Sequence, residues 1–106
     1  MNGNYIGKNT IIAGNVQLTP PVFIGDNCLI KNGVRLGANT VIGDNASIGD
    51  FTSVKQSILF HNVIVGRLSA LRKSIISNQC TIRDGASLFE DSVIGTCLLY
   101  TSDAAD

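Results

Sequence analysis

The sequence predicts an all-β fold in which the chain coils into a triangular parallel β-helix. Three observations support this: an aliphatic residue at every sixth position of the first half, Gly or Asn at fixed places between them, and charged residues at only 15%. A six-residue period matches neither the 3.6-residue period of a helix nor the two-residue period of a simple strand. It is typical of hexapeptide repeats, in which the chain turns a corner after each short strand and stacks coil upon coil.

The predicted strands follow from the aliphatic series, which is uninterrupted over the first half of the chain. Its members are Ile6, Ile12, Leu18, Ile24, Ile30, Leu36, Ile42, Ile48 and Val54. In the typical unit, residues 24–29 with the sequence IGDNCL, the aliphatic residue is position one and a small or β-branched residue is position five. We expect both to point inward. Each interior aliphatic residue then has another above and below it, and three units complete one coil.

Turn residues predict the corners between these strands. Position two is often Gly and position four is often Asn, and both residue types accept a positive φ. The asparagines at position four are Asn9, Asn15, Asn27, Asn39 and Asn45. Pro20 and Pro21 fall at corner positions, where a missing N–H costs little. Three aspartates at position three are also interpreted as corner residues: Asp26, Asp44 and Asp50.

The spacing changes after Val54 in a regular way. The inward series continues as Leu59, Val65, Leu71, Ile76, Ile82, Leu88 and Ile94. Two of its steps are only five residues long and have similar sequences, VKQSIL at 54–59 and LRKSII at 71–76. Because the second of these steps begins about one coil after the first, we predict a shortened corner that recurs on one edge of the prism. Sixteen units then give about five coils.

Charge and apolar content indicate which partners and which cellular compartment to expect. The formal net charge is zero, so no electrostatic attraction to nucleic acid or to an anionic membrane is predicted. The sequence has no apolar run of membrane-spanning length and no basic-then-apolar leader. We therefore expect a soluble, cytoplasmic protein with no nucleic-acid or membrane partner. Cys28 and Cys80, both at position five, are expected to be buried structural thiols rather than redox or metal sites.

The last ten residues, CLLYTSDAAD at 97–106, break the repeat. Back-translation of this segment gives a transposase adapter that is widely used to prepare DNA sequencing libraries. We therefore expect the native β-helix domain to cover residues 4–96, as a fragment of a longer gene, and residues 97–106 to be a non-native tail. The alternative is a genuine final strand formed by Leu98, Leu99 and Tyr100.

Candidate catalytic side chains are scarce. His61 is the single histidine and lies at position three of its unit, where a solvent-facing turn residue is the simpler interpretation. A zinc site of the γ-carbonic anhydrase kind needs three histidines, which this chain does not have. The glycine-rich stretches match corners, and none is a phosphate-binding loop between a strand and a helix. Basic residues that recur about one coil apart predict either a solvated ladder or a contact for an anion or another domain: Lys55, Arg67, Arg72, Lys73 and Arg83.

Two stretches of the second half carry a family resemblance, VKQSILFHNVIVG and LRKSIISNQCTIRDGASLFEDSVIG, as does LTPPVFIGDNC at 18–28. They resemble the C-terminal left-handed β-helix of sugar-1-phosphate nucleotidylyltransferases, of the mannose-1-phosphate guanylyltransferase and NDP-sugar synthase type. The resemblance covers residues 4–96 and implies a left-handed coil. It also implies a parent protein whose separate N-terminal nucleotidyltransferase domain binds Mg²⁺, NTP and sugar 1-phosphate. The β-helix is then a structural, oligomerisation or regulatory module of a homo-oligomer, and no catalytic, cofactor-binding or metal-binding residue is carried over to it.

The alternative is a fragment of a hexapeptide acyltransferase that uses acyl-CoA. In the β-helix of bifunctional uridylyltransferase–acetyltransferases, the stretch similar to residues 65–70 carries a catalytic His. Arg67 stands at that place here, and a guanidinium that keeps its proton cannot act as a base. Under this alternative, His61 is the only general base available.

Overall fold

The computed structural model of the chain describes residues 3–89, 93–94 and 99–100. Strands of two or three residues alternate with turns, and the described residues contain no helix. The strands are β1 (Asn4–Ile6), β2 (Ile11–Ile12), β3 (Gln17–Leu18), β4 (Val22–Ile24), β5 (Leu29–Ile30), β6 (Arg35–Leu36), β7 (Thr40–Ile42), β8 (Ser47–Ile48), β9 (Ser53–Lys55), β10 (Ile58–Leu59), β11 (Ile64–Val65), β12 (Ala70–Arg72), β13 (Ile75–Ile76), β14 (Thr81–Ile82), β15 (Ser87–Leu88), β16 (Val93–Ile94) and β17 (Leu99–Tyr100).

Each strand pairs in parallel with the third strand along the chain, which builds three sheets. Sheet 1 has the order β1-β4-β7-β10-β13-β16, sheet 2 has β2-β5-β8-β11-β14-β17, and sheet 3 has β3-β6-β9-β12-β15. One coil therefore contributes one strand to each sheet, and β1 to β15 make five coils. The predicted all-β parallel β-helix of about five coils is confirmed.

The predicted inward residues form continuous columns in the core. In sheet 1, Ile24 pairs with Ile42, Ile42 with Leu59 and Leu59 with Ile76, and all four are fully buried. Sheets 2 and 3 carry equivalent columns through Ile48 and Val54. Register partners lie one residue closer in sequence in the second half than in the first, as the shortened corners predict.

The predicted inward residues of the first coil are less buried than those of the coils that follow. Ile6 is 44% exposed, and Ile12 and Leu18 are only partly buried. Their register partners in the second coil, such as Ile24, are buried. The physical reason is that the described residues place a coil on only one side of these side chains, so that half of the packing is missing.

The shortened corner recurs on one edge, between sheets 3 and 1, as predicted. Lys55 pairs with Arg72 in register, and each is followed two residues later by a buried serine, Ser57 and Ser74. The Ser57 hydroxyl donates to the Lys55 carbonyl at 2.8 Å and accepts the N–H of Ser74 at 3.2 Å. The serine side chains thus satisfy backbone groups of the shorter turn, which explains why both segments have a serine there.

The position-two glycines lie at corners, as predicted, but the predicted reason, a positive φ, is wrong for them. Gly7, Gly25 and Gly49 do not have a positive φ, whereas Asn9, Asn27, Asn39 and Asn45 at position four do, at 57° to 64°. A Cβ on Gly49 would lie 2.7 Å from both the Gly66 carbonyl carbon and the Arg67 nitrogen. These glycines are therefore required by the close approach of the next coil. Asn15, also predicted to favour positive φ, does not adopt it.

Both predicted inward cysteines are buried, and they differ in chemical state. Cys28 is a free thiol whose Sγ donates to the Gly43 carbonyl at 3.1 Å, and burial raises the pKa of this thiol. Cys80 is disulfide-bonded, so the prediction of a free thiol is wrong for this residue.

The structure describes only a small part of the segment predicted to be a tail. Leu99 and Tyr100 form β17, which pairs with Thr81 and Ile82 of β14. The other residues of 97–106 lie outside the described part of the chain, so the predicted boundary at residue 96 stays a prediction. The described residues include no helix that could cross a membrane.

Candidate functional site

His61 belongs to a ladder of side chains that links the corners between sheets 1 and 2. Each ladder residue, at position three, accepts the backbone N–H of its counterpart one coil earlier. Asp26 Oδ1 accepts from Lys8, Asp44 Oδ1 accepts from Asp26, and His61 Nδ1 accepts from Asp44, each at 2.8 Å. The ladder continues to Asn78, whose Oδ1 accepts the His61 N–H at 2.9 Å. His61 therefore occupies the place that a carboxylate occupies in the two coils before it.

This geometry limits what the imidazole can do chemically. The bond from the Asp44 N–H requires an unprotonated Nδ1, so the proton of the neutral ring is on Nε2. Neither nitrogen then offers a free lone pair for abstracting a proton. The ring is 56% exposed, and the nearest carboxylate oxygen, Asp44 Oδ2, lies 3.9 Å from Nδ1. A catalytic role for His61 would require the ladder bond to break first.

The five basic residues that recur in the sequence lie in two places of the fold. Lys55 and Arg72 stack on sheet 3, and Lys73 lies in the corner that follows. Arg67 and Arg83 lie in the preceding corner, after sheet 2, where Arg67 Nε is 3.7 Å from Asp84 Oδ2. Arg72 also stands 5.3 Å from the ring centre of Phe89, a cation–π contact. The predicted recurrence of basic residues one coil apart is therefore confirmed for Lys55 and Arg72, and a contact for an anion or another domain stays a prediction.

The described residues do not gather metal ligands. No group of three or more His, Cys, Asp or Glu side chains lies close enough in the described ranges to hold a metal ion. The aspartates of the corners instead accept backbone N–H groups from the neighbouring coil. The described residues therefore do not fit the Mg²⁺ that the resemblance implies for the parent enzyme.

The most distinctive surface is the outer side of sheet 1, which we call the apolar face. Its central column has one large apolar residue from each coil: Tyr5, Phe23, Val41, Ile58 and Ile75. Phe60, two residues after Ile58, lies at the edge of this face. All six side chains are between 38% and 52% exposed. The rings of Tyr5 and Phe23 stack at a centroid distance of 4.7 Å. No charged residue interrupts the described part of the column.

The other two faces of the prism differ from the apolar face. The outward column of sheet 2 mixes three apolar side chains with two hydroxyl side chains: Ile11, Leu29, Ser47, Ile64 and Thr81. The outward column of sheet 3 is polar or small: Gln17, Arg35, Ser53, Ala70 and Ser87. The three faces share one backbone plan, so the difference lies entirely in the side chains.

A shallow hollow adjoins the aromatic end of the apolar face. It has a volume of about 510 Å³ and is lined by Tyr5, Phe23 and Val41 from the face and by Pro21 and Asn39 from the adjoining corner. Among the described residues that line it, Tyr5 is the one with an ionisable side chain. The hollow therefore extends the apolar face.

The apolar face is not among the features predicted from the sequence, although the sequence contains a signal for it. The residue immediately before each inward aliphatic residue points outward. At every third unit this residue is large and apolar, which produces the column from Tyr5 to Ile75. Reading the outward positions once per coil would have found it.

Comparisons with solved structures agree on the fold. A mutant of AntD, an N-acyltransferase from Bacillus cereus in complex with dTDP and coenzyme A, aligns with a TM-score of 0.63 and 14% identity, over 90% of this chain and 72% of that chain. The acetyltransferase domain of PglB from Neisseria gonorrhoeae FA1090 aligns with a TM-score of 0.53 and 16% identity, over 88% of this chain and 52% of that chain. At these identities the similarity concerns the fold alone.

The comparison with protein families is more specific. No curated protein sequence matches the chain. The family model described as the EIF2B subunit epsilon LbH domain, LbH denoting a left-handed β-helix, matches residues 1–103, which is nearly the whole chain. The chain therefore belongs to the family of EIF2B subunit epsilon left-handed β-helix domains.

Proposed function

We propose that this chain is a non-catalytic β-helix module of a cytoplasmic sugar-nucleotide pyrophosphorylase, an enzyme that forms an NDP-sugar from NTP and sugar 1-phosphate. Its partner within the parent protein is an N-terminal nucleotidyltransferase domain. Mg²⁺ and the nucleotide belong to that domain, and the β-helix contributes structure and oligomerisation.

The observation that supports this proposal is that the described residues form an apolar surface but do not form a cluster of metal-binding side chains. The one histidine uses Nδ1 to accept a backbone N–H. A module with these properties is suited to binding other protein surfaces. Membership of the EIF2B epsilon β-helix family supports such an accessory role.

The resemblance of residues 54–95 to mannose-1-phosphate guanylyltransferases and NDP-sugar synthases supports the assignment to a pyrophosphorylase. The paired shortened corners are central to that resemblance, and the structure explains their sequences. The hydroxyls of Ser57 and Ser74 each hydrogen-bond backbone groups of a shortened corner. The segments VKQSIL and LRKSII therefore form the same kind of turn.

The proposal is tested by sequencing the genomic DNA on both sides of the coding segment. We expect an upstream reading frame that encodes an α/β domain with a glycine-rich nucleotide-binding loop. A different upstream domain would contradict the pyrophosphorylase assignment. The same experiment tests residues 97–106, because a β-helix that continues after Thr96 with another sequence identifies the present ending as adapter.

A hexapeptide acyltransferase is the second candidate, supported by the two acyltransferases with the same fold. Under it, acyl-CoA binds between subunits and His61 is the base. The bond that Nδ1 accepts from the Asp44 N–H argues against this role. A His61→Ala variant that retains full acyl transfer with acetyl-CoA would exclude His61 as the base, whereas loss of transfer in both His61→Ala and His61→Asn would support it.

A further inference from the structure

We propose that the outer side of sheet 3 binds an extended peptide segment in which acidic and apolar side chains alternate. The binding surface is a shallow groove that runs along the prism axis. It has a floor of small residues, an apolar ridge on one side and a basic ridge on the other. The inference goes beyond the proposed function, because it does not depend on the reaction of the parent enzyme.

The floor of the groove is the outward column of sheet 3. Ser53, Ala70 and Ser87 occupy this column in three successive coils and pair in register. Ser53 and Ala70 are half-buried, whereas the residues two positions before and after each of them are exposed. The same column is large and apolar in sheet 1 and is interrupted by Ile64 in sheet 2. Within the described residues, sheet 3 is therefore the face that has a low floor.

The apolar ridge follows the corner between sheets 2 and 3. It consists of Phe51 and Leu68, which are 61% and 63% exposed. Both have a left-handed backbone, with φ of 59° and 57°, which is unfavourable for bulky side chains. Gly33 and Gly85, the equivalent residues of the neighbouring coils, adopt this conformation without strain. The coil itself gains nothing from these two strained and exposed apolar side chains, which indicates a use in binding.

Phe51 also forms a hollow at one end of the groove. Its ring lies against Gly33, where a Cβ would overlap the ring. The hollow has a volume of about 230 Å³ and is lined by Gly33, Arg35, Phe51, Thr52 and Ser53. It therefore joins the apolar ridge, the floor and a cation, and it can receive one side chain of a bound segment.

The basic ridge follows the other side of the floor. Lys55 and Arg72 pair in register on this side, and Arg35 lies one coil before Lys55, at the end of the floor. A Cβ on Gly37 would lie 2.7 Å from Lys55 Cγ, so the Lys55 side chain extends over Gly37 toward the coil of Arg35. The ridge thus places its positive charges beside the floor in several successive coils.

These positive charges are not balanced by carboxylates on the same face. The described strands of sheet 3 contain no Asp or Glu. Asp50 and Asp84 lie in the preceding corner, where each accepts a backbone N–H. Arg67 pairs with Asp84 in that corner, whereas Arg35 and Lys55 form no ion pair within the described part of the chain. Like charges on neighbouring strands repel each other, so a negatively charged partner stabilises this face.

Two ridges of different chemistry favour a peptide over a small anion. Each ridge stands two residues from the floor, about 7 Å, and the three floor residues span about 10 Å along the axis. An extended segment projects successive side chains to opposite sides. A segment that follows the floor can therefore place acidic side chains on the basic ridge and apolar side chains on the apolar ridge. A small anion would contact the basic ridge alone and leave Phe51 and Leu68 exposed.

The test measures binding of short dye-labelled peptides to the full 106-residue chain by fluorescence anisotropy. The probe alternates Glu with Leu. One control peptide alternates Glu with Ser, a second alternates Lys with Leu, and a third has the residues of the probe in two blocks, all Leu before all Glu. We expect the probe to bind at least about tenfold more tightly than each control. Its affinity should fall with added salt.

Substitutions locate the site on the chain. Lys55→Glu and Phe51→Asn should each weaken binding of the probe by at least about tenfold, and Asn accepts the positive φ at this corner. The matched controls are Lys8→Glu and Phe60→Asn, which make the same changes away from sheet 3. Both controls should bind the probe like the wild type, with circular dichroism to confirm folding. The peptide that alternates Lys with Leu should bind Lys55→Glu better than the wild type.

Four outcomes would overturn the proposal. The first is a probe that does not bind. The second is equal binding of the probe and the Glu-Ser peptide, which shows that the apolar ridge is not used. The third is displacement of the probe by tripolyphosphate of equal affinity, which identifies a site for small anions. The fourth is equal weakening by Lys55→Glu and Lys8→Glu, which places the site elsewhere. The pyrophosphorylase assignment is unaffected by all four, because it depends on the flanking DNA.

Discussion

Sheets 1 and 3 are built on the same plan inside the prism and differ on the outside. Both contribute an inward aliphatic column, through Ile42 in sheet 1 and Val54 in sheet 3, and both residues are fully buried. Outside, sheet 1 carries Val41 and its apolar neighbours, whereas sheet 3 carries Ser53 and other small or polar residues. The inward residues therefore specify the coil, and the outward residues distinguish one face from another.

The largest expected effect comes from breaking an inward column. Ile42→Ala removes a fully buried side chain that has an aliphatic neighbour in the coil on each side. We expect a loss of about 2–5 kcal/mol in the free energy of unfolding, measured by denaturant unfolding, and the same range for Ile30→Ala. The control is Val41→Ala, which changes the adjacent outward residue. Equal losses for Ile42→Ala and Val41→Ala would mean that the columns are misassigned.

The next effect tests the close approach of successive coils. A Cβ at Gly49 meets the backbone of Gly66 and Arg67, whereas a Cβ at Gly14 meets no atom within 4 Å. We expect Gly49→Ala to destabilise the fold by about 1–3 kcal/mol. Gly14→Ala should be neutral or stabilising by about 0.4–1 kcal/mol because it restricts the unfolded chain. The melting temperature should fall in Gly49→Ala and stay the same or rise in Gly14→Ala, and an equal fall in both variants would contradict the steric explanation.

A smaller effect is expected at the shortened corner that joins sheets 3 and 1. Ser57→Ala removes the hydroxyl that accepts the buried N–H of Ser74. Leaving a buried donor unsatisfied costs about 1–3 kcal/mol, and we expect the lower part of that range because the turn can adjust. Ser57→Thr keeps the hydroxyl and serves as the control. Hydrogen exchange at the Ser74 amide should accelerate in Ser57→Ala only.

The smallest effect is expected at His61. His61→Ala removes the acceptor for the Asp44 N–H on an exposed corner, so water can replace it. We expect a loss of about 0.5–1 kcal/mol. His61→Asn, which copies the ladder residue of the next coil, Asn78, should retain the stability. Faster exchange of the Asp44 amide in His61→Asn than in His61→Ala would exclude the ladder explanation.

Much of the fold was predictable because its determinants repeat along the chain. The inward series, the five coils and the shared edge of the two short corners all follow from spacing, and the structure confirms them. The role of Gly49 was not predictable, because its reason is the distance to Gly66 and Arg67 in another coil. The apolar face was also missed, since residues such as Phe23 and Val41 are a whole coil apart in sequence and adjacent only in space.

The sequence by itself determined the period, the inward residues and the positions of the corners, because these depend on each short segment and on burial of its aliphatic side chain. The tertiary structure decided which outward residues share a face, which basic residues stay apart and which nitrogen of His61 is occupied. These properties arise from contacts between coils. A contact between residues of successive coils depends on how those coils stack, and only the folded prism specifies that stacking.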